Sequence, residues 1–495
     1  MTTHSEAGAE NTIPQESSGL LDNEQSSTSY AAVENGGREE EQRSGEQRPS
    51  KARRITIFVL AVVLSTTVLA TAWFASHYNS LRKRSYRPYG ILNNGTHDFR
   101  QTLIMISMDG TVNDYLDRGI TPNLDIIAAD GVRAQYMNPS FPSVTFPNHW
   151  SLVTGLYPET HGIVGNVFYD PVLNQTFNYK SAAGSWSSKW WGGEPIWVTS
   201  ELQNVTSAVI MWPGCSTSFN GIRPTYEVPF DDVTSSDKKM DQVLQWLDLP
   251  LEDRPQIINA YIQGIDQHGH KYGPYDNLTL NALHSVDGSL GRLLDGLKNR
   301  HLSDIVHIMV VSDHGMSESS NDKLIYYDDI LDETALGNIW KTEGWPLLGI
   351  RAYPGKEDAL DDIYQQLYEH SLLPGAKYEV FRRENMPLKY HFSHTQRVPP
   401  VIAIPFEGWN FVTHKQFNDP TKEYQPRGVH GYDNFARQSR AIFVAKGPFF
   451  DWDLGRGQRL KPFVNIEVYN VLSRILGLQP AENNGTLSGF LQSLY

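Results

Sequence analysis

Five short apolar runs rich in β-branched residues recur along the chain: TLIMIS (102–107), SAVIMW (207–212), INAYI (258–262), VHIMVV (306–311) and AIFVA (441–445). Such runs read as strands buried on both faces of a sheet. Between them, DKKMDQVLQWL (237–247) and ALHSVDGSLGRLLDGLKN (282–299) carry apolar residues at helical spacing. Strands alternating with helices predict an α/β domain: a central, largely parallel sheet flanked by helices. No internal repeat and no second folded domain is evident. In a chain of 495 residues, 40% of them hydrophobic, this fits one large catalytic domain with appendages. The single cysteine, Cys215, forms no disulfide within the chain.

The appendages lie at the N-terminal end. Residues 1–54 are rich in Ser, Glu, Gln and Gly and read as a disordered tail. Residues 55–75, ITIFVLAVVLSTTVLATAWFA, hold no charge and no proline, and as a helix would rise about 30 Å, the thickness of a bilayer core. They are expected to form one transmembrane helix, with residues 76–98 as a stalk and 99–495 as the catalytic domain. Basic residues flank the segment on both sides and leave its orientation open. The glycosylation pattern N-x-S/T settles the expectation: Asn94, Asn174, Asn204, Asn277 and Asn484 all follow the segment and none precedes it. A single-pass type II membrane protein results, its catalytic domain lumenal (vacuole or endosome) or at the cell surface. In the tail, Glu16-Ser-Ser-Gly-Leu20-Leu21 resembles an acidic dileucine signal for a cytosolic sorting adaptor; an incidental leucine pair is an equal reading.

Several strands end in metal-ligand chemistry. Asp109 follows the first, Asp266 and His270 the run at 258, Asp313-His314 the run at 306, and His430 lies shortly before the strand at 441. In open α/β sheets ligands bind beyond the carboxyl ends of the strands, so these six residues are expected at one edge. Three Asp and three His suit two divalent cations. Zinc fits best; manganese and iron share the ligand preference. An Asp ending a strand is otherwise a turn residue. The other histidines, including His149, His161, His284 and His307, read as surface or satisfied core residues. The formal net charge of −14 excludes duplex nucleic acid held along a basic face, but not small anions at a metal site.

Thr145, in SVTFPNH, reads as a helix cap ahead of Phe146 and Pro147. Beside a cation its hydroxyl would lose its proton more easily, and free N–H groups at the helix start would face an anion. Cap and nucleophile are compatible readings.

TFPNHWSLVTGLYPETHGIVGN (145–166), DQHGHKYGP (266–274), SDHGM (312–316) and GVHGYDN (428–434) resemble the nucleotide pyrophosphatase/phosphodiesterase family of the alkaline phosphatase superfamily. The likeness runs from about Phe99 to the C-terminus and is closest to the short fungal or microbial type. It implies an alkaline-phosphatase-like fold. It implies one zinc held by Asp266, His270 and His430, and another by Asp109, Asp313, His314 and the Thr145 oxygen. Thr145 would attack phosphorus and form a phosphothreonine-type intermediate. Asn166 and a helix-start N–H would hold a phosphate oxygen, and water activated at the other zinc would release product. Phe146 and Phe230 match positions that sandwich a nucleobase, and Trp212 is either pocket or core. Three departures stand out: Val144 where many relatives have lysine, Gln263-Gly264-Ile265 where many have Glu-Glu-Pro, and Phe230 where tyrosine is frequent.

The expected activity is hydrolysis of phosphodiester or pyrophosphate bonds in nucleoside triphosphates, dinucleotides or nucleotide sugars, releasing nucleoside 5′-monophosphates. The alternatives are a choline-phosphate-ester phosphodiesterase, a phosphomonoesterase, or a non-catalytic surface binding protein.

Overall fold

The structure, a computed structural model, describes residues 50–83 and 90–491. The dileucine motif and most of the predicted tail lie outside the described residues.

The predicted span falls within one helix, α1 (Lys51–Lys83). Its hydroxyl groups bond back to the preceding turn: Thr56 to Ala52 O, Ser65 to Ala61 O, Thr66 and Thr67 to Val63 O, and Thr71 to Thr67 O. Ile55, Phe58, Leu60, Leu64 and Leu69 are exposed. Counted over described side chains, which omit residues 53–54, 57 and 74–83, no helix is long and apolar enough to cross a membrane.

The remaining described residues belong to a second compact unit. Its main sheet has eight strands: β1 (Leu103–Met108), β2 (Val132–Ala134), β3 (Ser207–Ile210), β4 (Tyr226–Val228), β5 (Ile257–Ile262), β6 (His307–Val311), β7 (Phe443–Lys446) and β8 (Gln458–Leu460), in the order β8-β2-β7-β6-β1-β5-β3-β4. All neighbours pair parallel except β7, which runs antiparallel to both β6 and β2. The apolar runs are therefore the inner strands, and every residue of β1, β5 and β6 is buried. The reversal of β7 has a consequence for the site. The loop before an antiparallel strand lies at the same edge as the ends of its parallel neighbours, so His430 reaches the edge that carries Asp109 and Asp313.

The sequence reading differs from the structure in two places. The boundary at Phe99 lies too late: Leu92–Asn93 pairs with Asp98–Phe99, Asn94 donates to Arg300 O at 2.7 Å, and Phe99 is buried. The last residues of the expected stalk are thus part of the folded unit. A second sheet was also missed. Ile339–Glu343, Leu348–Ala352, Val401–Pro405 and Tyr378–Arg382 form a four-stranded antiparallel sheet, in that order, over a separate apolar cluster that includes Ile350, Ile363, Leu367, Tyr378 and Val401.

Candidate metal and phosphoester site

Helix α2 (Thr145–Thr154) begins at the site edge of the sheet. Val144, extended at φ −126° and ψ 159°, takes the cap position, and Thr145 is the first helical residue. The expectation that Thr145 caps the helix is corrected: its hydroxyl lies 3.3 Å from His314 Nε2 instead of bonding back to the helix start. The N–H of Phe146 donates to Asn166 Oδ1 at 2.9 Å. An N–H can only donate, so the Asn166 oxygen is held there and its NH₂ end remains for another acceptor. One helix-start N–H expected to meet phosphate is therefore used to orient Asn166.

The six predicted ligands come together. Helix α3 (Gly264–Tyr272) follows β5 and carries Asp266 and His270 four residues apart, hence on one face. Gly110, directly after Asp109, has φ +66°, and a Cβ there would sit 2.9 Å from Asp266 Cβ. Only glycine lets the two carboxylate-bearing turns approach this closely. His430 follows Gly428–Val429, which pairs with Ser317–Glu318 just past His314.

The three imidazoles are set alike. Nδ1 of His270 donates to Gly428 O at 2.8 Å, Nδ1 of His430 to Ser143 O at 3.0 Å, and Nδ1 of His314 to Gly315 O at 2.8 Å. A carbonyl only accepts, so Nδ1 carries the proton and in the neutral ring Nε2 presents a lone pair. Yet His270 Nε2 and His430 Nε2 face each other at 3.2 Å. Asp266 Oδ1 lies 3.4 Å from the first and 3.5 Å from the second, and accepts no hydrogen bond. Tetrahedral zinc with bonds of about 2.0–2.1 Å has ligand edges of about 3.3 Å. This triangle has that size, and its three lone-pair donors repel one another without a cation.

The other half is more deeply buried. His314 Nε2 lies 3.0 Å from Asp313 Oδ2 and 3.5 Å from Asp109 Oδ1, and neither carboxylate oxygen accepts a hydrogen bond. His314 also stacks on His430 with ring centroids 3.6 Å apart and stands within ligand range of Asp266 and His430. Orphaned buried carboxylate oxygens signal an ion or water at such a place. The donor set, carboxylates with imidazoles, fits divalent cations in both halves.

The electrostatics agree. Burial, with the charges of Asp313 and Asp266, raises the Asp109 carboxyl well above the usual range. Burial alone would raise Asp313 too, but the imidazoles of His314 and His149 outweigh it and hold that carboxyl well below its ordinary value. Burial and then the neighbouring His314 and His270 push His430 far down. For His314, burial would lower the value, but Asp313 more than offsets this. Such opposed shifts in one cluster mark a functional site.

The expected base-binding residues divide. Phe146 is partly buried and packs on Phe177, Tyr179 and Trp191, at centroid distances of 6.0, 5.3 and 6.1 Å. Phe230 is exposed, its ring 6.2 Å from that of Tyr261. Trp212 is 1% exposed and its indole N–H donates to His149 O at 3.1 Å. It occupies the core side of its two readings, because a ring sealed against His149 offers no face to a base. Two contributors were missed. Tyr261 donates its hydroxyl to Asp109 Oδ2, and His149, read as an ordinary core histidine, touches Thr145, Asp313 and Ser107. Of the departures, Val144 is buried beside Gly431, and Gln263 accepts a hydrogen bond from buried Lys239 at 2.7 Å. Asn174, Asn204, Asn277 and Asn484 are exposed, whereas Asn94 is partly buried.

An edge of buried carboxylates and imidazoles on a doubly covered α/β sheet defines a phosphoester-hydrolase type of site on an alkaline-phosphatase-like fold. Residues 103–433 match the family model described as type I phosphodiesterase / nucleotide pyrophosphatase, and the chain belongs to that family of hydrolases. A pyrophosphatase/phosphodiesterase of Schizosaccharomyces pombe is 44% identical over 409 residues, 81% of this chain and 82% of the relative. Human ectonucleotide pyrophosphatase/phosphodiesterase family member 1 is 35% identical over 77% of this chain, which spans only 40% of that protein's length. An inactive variant of murine ectonucleotide pyrophosphatase/phosphodiesterase 5, solved in complex with AMP, is 29% identical with a TM-score of 0.71, covering 80% of this chain and all of that one.

Proposed function

We propose that this protein hydrolyses phosphodiester or pyrophosphate bonds of nucleotides, among them nucleoside triphosphates, dinucleotides and nucleotide sugars, and releases nucleoside 5′-monophosphate. The observation that carries this reading is the Thr145 hydroxyl at the start of α2, 3.3 Å from His314, a member of a cluster of carboxylates and imidazoles that could hold cations. Asp266, His270 and His430 would hold one divalent cation; Asp109, Asp313, His314 and Thr145 the other, zinc suiting both. Bound there, the pair would supply charge neutralisation to the phosphate and make a hydroxyl or water a better nucleophile at neutral pH.

The residues of the chain do the rest. Thr145 Oγ1 bonds to phosphorus as the bond to the leaving oxygen breaks, and the hydroxyl proton departs with the leaving group. Water then attacks phosphorus, the P–Oγ bond breaks, and the threonine hydroxyl is restored. The NH₂ of Asn166, oriented by Phe146 N–H, donates to a non-bridging oxygen whose charge grows in each step. Phe146 and Phe230 offer aromatic faces to the base. The solved relative in complex with AMP supports a nucleoside monophosphate as product.

The test uses the purified full chain with nitrophenyl esters of TMP, of phosphate and of phosphorylcholine, with and without a chelator. We expect the TMP ester to be preferred and turnover to stop on chelation. Comparable or better turnover of the monoester or the choline ester would favour those alternatives. No turnover of any ester, with or without the chelator, would leave only a binding protein.

We further propose that residues 55–75 anchor the protein as a type II membrane protein, its tail carrying the adaptor signal at Glu16, Leu20 and Leu21. The five sequons on one side of the segment support this orientation. Treating native protein with an N-glycosidase is expected to increase its mobility; no shift would contradict it.

A further inference from the structure

His149 is fully buried, and both ring nitrogens are engaged. Nδ1 lies 2.9 Å from the carbonyl oxygen of Thr145, one turn back on α2, and 3.3 Å from Asp313 Oδ2. Nε2 lies 2.8 Å from Ser107 Oγ. The Thr145 carbonyl can only accept, so Nδ1 carries the hydrogen, and Nε2 accepts from the Ser107 hydroxyl. The ring is clamped edge-on by Trp212 and Tyr261, at centroid distances of 5.1 and 4.9 Å. Distance alone groups His149 with Asp109 and Asp313 as possible cation ligands. The hydrogen bonds argue otherwise, because neither nitrogen has a lone pair to spare.

We propose that His149 is a positioning residue that couples Thr145 to Asp313 through its single Nδ1–H. The Nδ1–H is hydrogen-bonded to the backbone carbonyl of the first residue of α2 at 2.9 Å and turns its positive end towards a carboxylate oxygen at the end of β6, 3.3 Å away, at ion-pair rather than hydrogen-bond geometry. It fixes how far the Thr145 hydroxyl stands from the Asp313 side of the site. Ser107, in the middle of the sheet edge, sets the tautomer that makes this possible. The inference rests on the reading of Thr145 as the nucleophile. Residues that orient metal-site groups typically matter by about 10–100-fold, and an ångström of misplacement can cost about 10²-fold in rate.

The chemistry gives a discriminating pair of substitutions. In asparagine the amide nitrogen is bonded to Cγ, as Nδ1 is in histidine, so His149→Asn keeps a donor at the bridging position. In glutamine the amide lies one carbon further out, near the place of Nε2, so His149→Gln keeps a polar group facing Ser107 and loses the bridge. A purely structural role predicts the reverse order, since glutamine is nearer in volume. In the full chain, kcat and KM on the nitrophenyl ester of TMP would be measured, with zinc affinity by chelator competition and unfolding midpoints for each variant. We expect His149→Asn within about tenfold of wild type in kcat, and His149→Gln lower by about 10²-fold at nearly unchanged KM. Zinc affinity should weaken in His149→Gln and recover in His149→Asn. Equal losses in the two folded variants, a better glutamine variant, or a change confined to KM would overturn the proposal. Should His149→Gln not fold, His149→Asn decides alone: a folded Asn variant down by more than about 10²-fold contradicts the bridge. Thr145→Ala separates the two readings. If it keeps turnover, the nucleophile reading fails whatever His149 does; if it is inactive while His149→Gln is unimpaired, only the present inference fails.

Discussion

The two halves of the site use the same ligand types in opposite surroundings. The Asp109, Asp313 and His314 side chains are at most 1% exposed. In the other half, Asp266 is 15% exposed and His270 33%. The buried half has supporting contacts from Tyr261, His149 and the backbone N–H of Gly110. For the open half, the hydrogen bonds of the imidazoles to Gly428 and Ser143 carry most of the orientation. The difference teaches a division of labour. On the proposed mechanism the buried half, which would hold Thr145 as nucleophile, has to be rigid, while the more exposed half would face the solvent from which water arrives.

Substitutions can break that comparison. The largest effect is expected for Asp313→Asn, which removes a charge that sits between two imidazoles in a site closed to water. Loss of such a charge should cost on the order of 10²–10³-fold in kcat. It should also lower the stability of the cation-free protein at neutral pH, because the folded state holds the Asp313 carboxyl well below its ordinary value, with relief of its repulsion with Asp109 offsetting part of that loss. His270→Gln should cost less, about 10–100-fold, with little change in stability, since water can replace a ligand that is one-third exposed. Kinetics and denaturant unfolding of both variants check the order. Equal losses would mean that burial does not separate the halves.

The same contrast explains what sequence could reveal. Asp109, Asp266 and Asp313 were legible because each closes a buried run that can only be an inner strand, and the carboxyl ends of such strands meet. His430 was legible by motif, but the reason it arrives at that edge, the reversal of β7, was not; a short apolar run has no direction. His149 was hidden because a buried helical histidine has many uses, although its spacing of four residues from Thr145 was a usable signal. The second sheet was missed since Leu348–Ala352 and Tyr378–Arg382 mix Gly, Arg and Glu among their apolar residues, which weakens the strand pattern. In the sequence Trp212 suits pocket or core alike, because a tryptophan at a strand end near a site fits either until its N–H partner is known.

The central claim is that Thr145 does the chemistry while the remaining ligands hold the cations without it. Turnover and bound zinc, measured together in Thr145→Ala, test this most directly. The account predicts two zinc ions per chain, as in wild type, and turnover lower by on the order of 10⁴–10⁶-fold. Substantial turnover with both ions in place would contradict it.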